Sequence, residues 1–130
     1  MSYYREQKVE APFEDAVERV REALSEEGFA IPAEIDVTGA FRNALDKEFR
    51  PYLILLTGNP GMAYDAMTRE PRVGVLMPIN IAIYELDEGG SMVATMEPGL
   101  LGQMGDPTLE QMEGTVDAVL SRVFERVATS

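Results

Sequence analysis

A chain with no histidine and no cysteine has few ways to move a proton or attack an electrophile near pH 7. The candidates left for that work are Lys47, Asp36 and Glu85, because burial can bring a lysine or a carboxylate toward neutral pKa and make it an acid–base group. The same two absences remove imidazole triads, thiol nucleophiles, disulfides and the usual zinc and copper ligands. A second kind of candidate is an amide. Asn59 follows the apolar run Leu53-Ile54-Leu55-Leu56 within Gly58-Asn59-Pro60-Gly61. An asparagine at a strand end, beside free N–H groups, can touch a small anionic or carbonyl ligand, with Asn80 or Lys47 as companions.

A strand running into a glycine-bounded loop also invites comparison with phosphate-binding loops. A P-loop requires GxxxxGK[ST], since the lysine reaches the phosphates and the hydroxyl holds magnesium, but Gly61 is followed by Met62 and Ala63. The dinucleotide fingerprint G-x-G-x-x-G is absent as well. Capping accounts for the same residues, with Asn59 as N-cap, Pro60 in the first helical position, and a short helix whose Ala63, Ala66 and Met67 face inward. The methionines from Met62 to Met112 offer thioethers to Cu(I), but they form no compact Met-x-Met or Met-x-x-Met cluster, so core filling is the reading and neither metal nor cofactor is expected.

The elements that must position these residues follow from periodicity. "YYREQKVEA" reads as a strand that stops at Pro12. Phe13, Ala16, Val17, Val20 and Leu24 then repeat at helical spacing until Gly28. "FAIPAEIDV" is extended, and Pro32 assigns it to a sheet edge. "TGAFRNALDKEF" suggests one irregular helical turn. The run from Leu53 to Leu56 reads as the central strand, covered on both faces. Ile79, Ile81 and Ile83 alternate with Asn80, Ala82 and Tyr84 ahead of a turn at Asp87-Glu88-Gly89-Gly90, which predicts a hairpin. After the connector "GLLGQMGDP", Leu109, Met112, Val116, Val119, Leu120, Val123, Phe124 and Val127 line one helical stripe, started by Asp106 and Pro107. The expected architecture is α+β, a mainly antiparallel sheet with two long helices packed on one face, in β-α-β(n)-α order.

Length and charge bound the rest. The 130 residues fit a single domain, 1–130. No apolar run approaches the roughly 18 residues of a membrane span, and "MSYYREQKVE" lacks the features of a signal peptide, so a soluble cytoplasmic protein with no membrane partner is expected. The 23 acidic against 11 basic side chains give a formal net charge of −12, which opposes nucleic-acid binding. Absence of cysteine, with few Asn and Gln, leans toward a heat-adapted host, although eight methionines pull the other way.

The order "FEDAVERVREALSEEGF", Asp36, Lys47, "YLILLTGNPGMA", "GVLMPINIAIYE" resembles the bacterial and archaeal domain-of-unknown-function 302 family over nearly the whole chain. The resemblance implies a small α+β fold like that of the TATA-binding protein, and Lys47, Asn59, Pro60, Pro78 and Glu85 match the family pattern. Where relatives commonly have cysteine, before the Asn-Pro and after the later proline, this chain has Gly58 and Ile79. Thiol, metal or redox roles do not transfer to it, and fold alone carries no function.

Two functions are compatible with these residues. One is a non-catalytic module, a homodimer, that binds a small apolar or amphipathic ligand or a partner, or simply assembles, through its sheet and the connector with Leu100, Leu101 and Met104. That connector either covers a pocket or partner, or tucks onto its own core. The other is an enzyme in which Lys47 works with Asp36 or Glu85.

Overall fold

The computed structural model describes residues 2–129. Strand β1 (Tyr4–Val9) leads through Pro12 into helix α1 (Phe13–Glu26), whose Ala16, Val17, Val20, Ala23 and Leu24 are buried. The helix ends where Gly28 turns left-handed at φ 76°, which lets the Phe29 N–H reach back to the Leu24 carbonyl at 3.0 Å and buries Phe29 beneath it. Strand β2 (Ala30–Asp36) follows, then α2 (Val37–Leu45), β3 (Tyr52–Gly58), α3 (Pro60–Arg69) and a tight helical turn at Pro71–Val75. The hairpin β4 (Ile79–Glu85) and β5 (Ser91–Met96) turns through Gly89 and Gly90, both at positive φ. A Cβ on Gly90 would stand 2.9 Å from the Val9 carbonyl, so the turn needs glycine there. A four-residue helix α4 (Gly99–Gly102) precedes the long α5 (Pro107–Thr129).

All strand pairs are antiparallel, in the order β1-β5-β4-β3-β2. Helices α1 and α5 pack together against one face, and the core lies between them and the strand residues Leu55, Ile79, Ile81, Ile83 and Val93. The α+β architecture, the two long helices, the hairpin and the edge position of β2 agree with the sequence reading, and the eight stripe positions of α5 are its eight buried residues. Pro32 sits in an irregularity of the β2–β3 register between Ala30 and Ala33. No helix among the described residues is long and apolar enough to cross a membrane.

Three expectations are corrected. The central strand is β4, not β3, and β3 is covered on one face only: Leu55 and Thr57 are buried beneath the helices, whereas Ile54 and Leu56 lie half-buried on the other side. The segment after β2 is a nine-residue helix, because Asp36 Oδ1 accepts from the Gly39 N–H at 3.0 Å as an N-cap. Thr38 then ties it down, its hydroxyl donating to the Arg50 carbonyl and accepting from the Tyr52 N–H, both at 2.8 Å. In α3, Ala66 is buried as expected, but Met67 is exposed. Of the two readings left open for the connector, the structure has it tucked onto its own core, with Leu101 fully buried and Met104 packed against the cluster.

Candidate functional site

The five residues singled out from sequence fall at opposite ends of the sheet. Asp36 closes β2, Glu85 closes β4 and Lys47 lies in the segment before β3, all at one end. Asn59 follows β3 and Asn80 lies near the start of β4, at the other end, a separation of roughly 20 Å for seven strand residues. Asp36 borders a cavity of about 490 Å³ between the start of α1 and the β2–β3 edge, shared with Glu14, Arg21 and Glu34. Lys47 and Glu85 do not line it. Both side chains are exposed, and the backbone of Glu85 is what the structure uses: its N–H donates to the Pro51 carbonyl and its carbonyl accepts from Arg50 Nη1, each at 3.0 Å.

Asn59 is committed on both sides of its amide. Oδ1 accepts from the Met62 N–H at 3.1 Å, capping α3, and Nδ2 donates to the Gly28 carbonyl at 3.4 Å. Asn59→Ala removes the cap and is expected to cost about 1 kcal/mol in thermal unfolding. Asn59→Asp keeps an acceptor at a helix N-terminus and should stay within about 0.5 kcal/mol of the parent chain. Equal losses in the two variants would show that the bond to Gly28, not the cap, matters.

The feature that sequence reasoning missed is the uncovered face of the sheet. Antiparallel sheets with one solvated face usually turn polar residues outward. Here the register instead aligns Ile35 with Ile54 with Ala82 with Ala94 across four strands, and Tyr52 with Tyr84 with Met92 beside them. Tyr52 and Tyr84 stack with ring centroids 5.1 Å apart, and Phe49 and Phe41 continue the aromatic row toward α2. Tyr4, Tyr52, Ile54, Asn80, Ala82, Ala94 and Met96 border a shallow hollow of about 280 Å³ on this face. Partial burial pushes the Tyr84 phenol above its ordinary pKa, with the nearby Glu6 charge adding to it. Of the strand residues on this face only Glu6 and Lys8 are charged, and both belong to the edge strand β1. The signal was present in the sequence, since Leu53-Ile54-Leu55-Leu56 is apolar in both phases of its alternation.

Charge is concentrated elsewhere and sets the acid limit of the fold. Arg5 donates to Glu97 through Nε at 2.8 Å and Nη2 at 2.7 Å and also pairs with Asp117, and its hydrogen bonds hold the Glu97 carboxyl below the usual carboxylate range. Arg122 does the same to Glu27, and Arg72 lowers the Glu70 carboxyl to about 2. At neutral pH these groups are ionised in both the folded and the unfolded chain, so their stabilisation is fully present. As pH drops below ordinary carboxylate values the unfolded chain takes up protons first, and the contribution is lost on the way down to the folded-state values. Melting temperatures at fixed salt should therefore fall between about pH 4.5 and about pH 2, and Arg5→Met should make the decline shallower. A melting temperature unchanged across that window would contradict the assignment.

Comparison with known proteins adds a family and a fold. The sequence pattern described as Domain of unknown function DUF302 matches residues 5–127. Among solved structures the chain is similar to the crystal structure of an uncharacterized conserved DUF302 protein from Bacillus stearothermophilus, with a TM-score of 0.86 and 24% identity over 98% of this chain and 99% of that chain. No curated protein matches.

Proposed function

The chain belongs to the DUF302 family, and from that premise we propose that it is a non-catalytic homodimeric module whose uncovered sheet face is the surface on which two copies assemble. The observation that carries the reading is the apolar and aromatic character of that face. Five strands about 4.8 Å apart and about 20 Å long make a rectangle of roughly 400 Å² in projection, and corrugated side chains expose more than their projection. Phe41, Leu45 and Phe49, all exposed, extend it at one end. The total approaches the roughly 800 Å² per partner of a standard interface and exceeds what scattered surface apolar residues explain.

Charge favours a second copy as the occupant. A chain of −12 repels its own kind except where its acids are absent, and the strands of this face carry only Glu6 and Lys8 as charged residues, of opposite sign and at the rim. Nucleic acid is a poor occupant for the same reason, since it would bring phosphates to an acidic protein with little basic surface. The acid–base alternative lacks support in the geometry, because Lys47 and Glu85 stand outside the cavity beside Asp36. Light scattering of the purified chain tests the reading: twice 14.4 kDa is expected at micromolar concentration, and a monomer at every concentration defeats it.

A further inference from the structure

A second concavity lies away from the open face, where β3 gives way to α3. Pro60, Ala63 and Met67 of α3, Met77-Pro78, and Ala30 and Pro32 of β2 enclose about 220 Å³. No charged side chain lines it, in a chain rich in carboxylates. The polar side chains in its wall already have partners. The Thr57 hydroxyl donates to the Ala30 carbonyl at 2.7 Å, and both ends of the Asn59 amide are taken by Met62 and Gly28.

An occupant therefore finds little to pair with a charge, and would lose the hydration of any ionised group it brought in. Burial of its own apolar surface is the gain on offer. The two methionines narrow the class. Met77 is buried and Met67 is exposed, and thioether sulfur makes favourable contacts with aromatic ring edges while its flexible chain adapts to the ring's shape. Size sets the upper bound: an aliphatic cavity of roughly 150 Å³ accepts benzene, so this one has room for a fused bicyclic ring. The geometry points to a binding site for a small uncharged aromatic molecule of one or two rings, held between α3 and Met77-Pro78. This inference stands whether or not the sheet face pairs two copies.

Indole is a suitable probe, with indole-3-acetate as its charged counterpart. In protein labelled with ¹³C at the methionine methyls, indole should shift the Met67 and Met77 signals saturably, while Met92 and Met96 on the sheet face stay in place. Indole-3-acetate should bind at least tenfold more weakly. Ala63→Leu, which fills the wall from within a helix that accepts leucine readily, should weaken indole at least tenfold. Ala63→Met is a second plug at the same wall, with a more adaptable side chain. The inference is overturned if Met67 and Met77 do not respond up to the solubility limit of indole, if Met92 and Met96 respond instead, or if the charged analogue binds equally well. Unchanged affinity in a folded plugged variant also overturns it. Should neither plugged variant fold, the methyl map and the charged analogue decide on the parent protein alone.

Discussion

A chain carrying Ala82→Arg is expected to stay folded and to scatter as a 14.4 kDa monomer at concentrations where the proposed dimer of the parent protein would scatter at twice that mass. Ala82 is on the central strand and in the middle of the open face, with Ile54 opposite on one side and Ala94 on the other. In a single copy it is only half-buried, so a long basic side chain can lie over Ile54 or Ala94 and keep its guanidinium in water. In a face-to-face pair the same group would be trapped near the symmetry axis, opposite its twin, with Glu6 two strands away in the same cross-strand row as the nearest strand acid on the face. Burying an unpaired charge costs about 3 kcal/mol or more, which is at least a hundredfold in the dimer constant. Lys8→Gln at the rim should change that constant by less than about 1 kcal/mol. If Ala82→Arg folds and still dimerises, the contact between copies is elsewhere.

Leu101→Ala should lower stability by about 2–5 kcal/mol, whereas Leu100→Ala should cost far less. The two leucines are neighbours in the four-residue α4, but Leu101 is fully buried in the main core and Leu100 is half-buried. Removing the Leu101 side chain leaves a cavity that a helix pinned between Pro98 and α5 has little freedom to close. Against a typical total of 5–15 kcal/mol this is a large fraction, and it corresponds to a fall of roughly 8–20 °C in melting temperature. Thermal unfolding of both variants checks it. Equal small losses would mean that the connector is a surface loop.

Comparison of α5 with β3 shows what kind of structure a sequence makes legible. In α5 the apolar residues occupy one stripe and polar residues the rest, so periodicity alone identifies the buried positions. In β3 the run is apolar in both phases, which says that both faces are apolar and not what covers either of them. The cover of each face is not encoded locally, so the run by itself reads as a central strand, whereas β3 is one strand from the edge. Asp36 shows a different limit. A carboxylate at the end of an extended segment reads equally as an acid–base group or as a cap, and only the position of the Gly39 N–H decides what its oxygen does here. Asn59 was easier, because Pro60 directly after it marks a helix start. The apolar cavity beside it was not legible, since its walls come from β2, α3 and Met77-Pro78, far apart in sequence.

The irregular register at Pro32 bears on how far assembly can go. A proline has no N–H to offer a neighbouring strand, and the shift between Ala30 and Ala33 bends β2 away from straight pairing, so that border of the sheet is a poor template for a sixth strand. The opposite border, β1, presents Arg5, Glu6 and Lys8 along its length. Growth by adding strand to strand is thus blunted on both sides, and contact through the broad face consumes the same surface on each molecule. The proposed pair would leave no free valence over, so raising the concentration is expected to populate closed dimers rather than filaments.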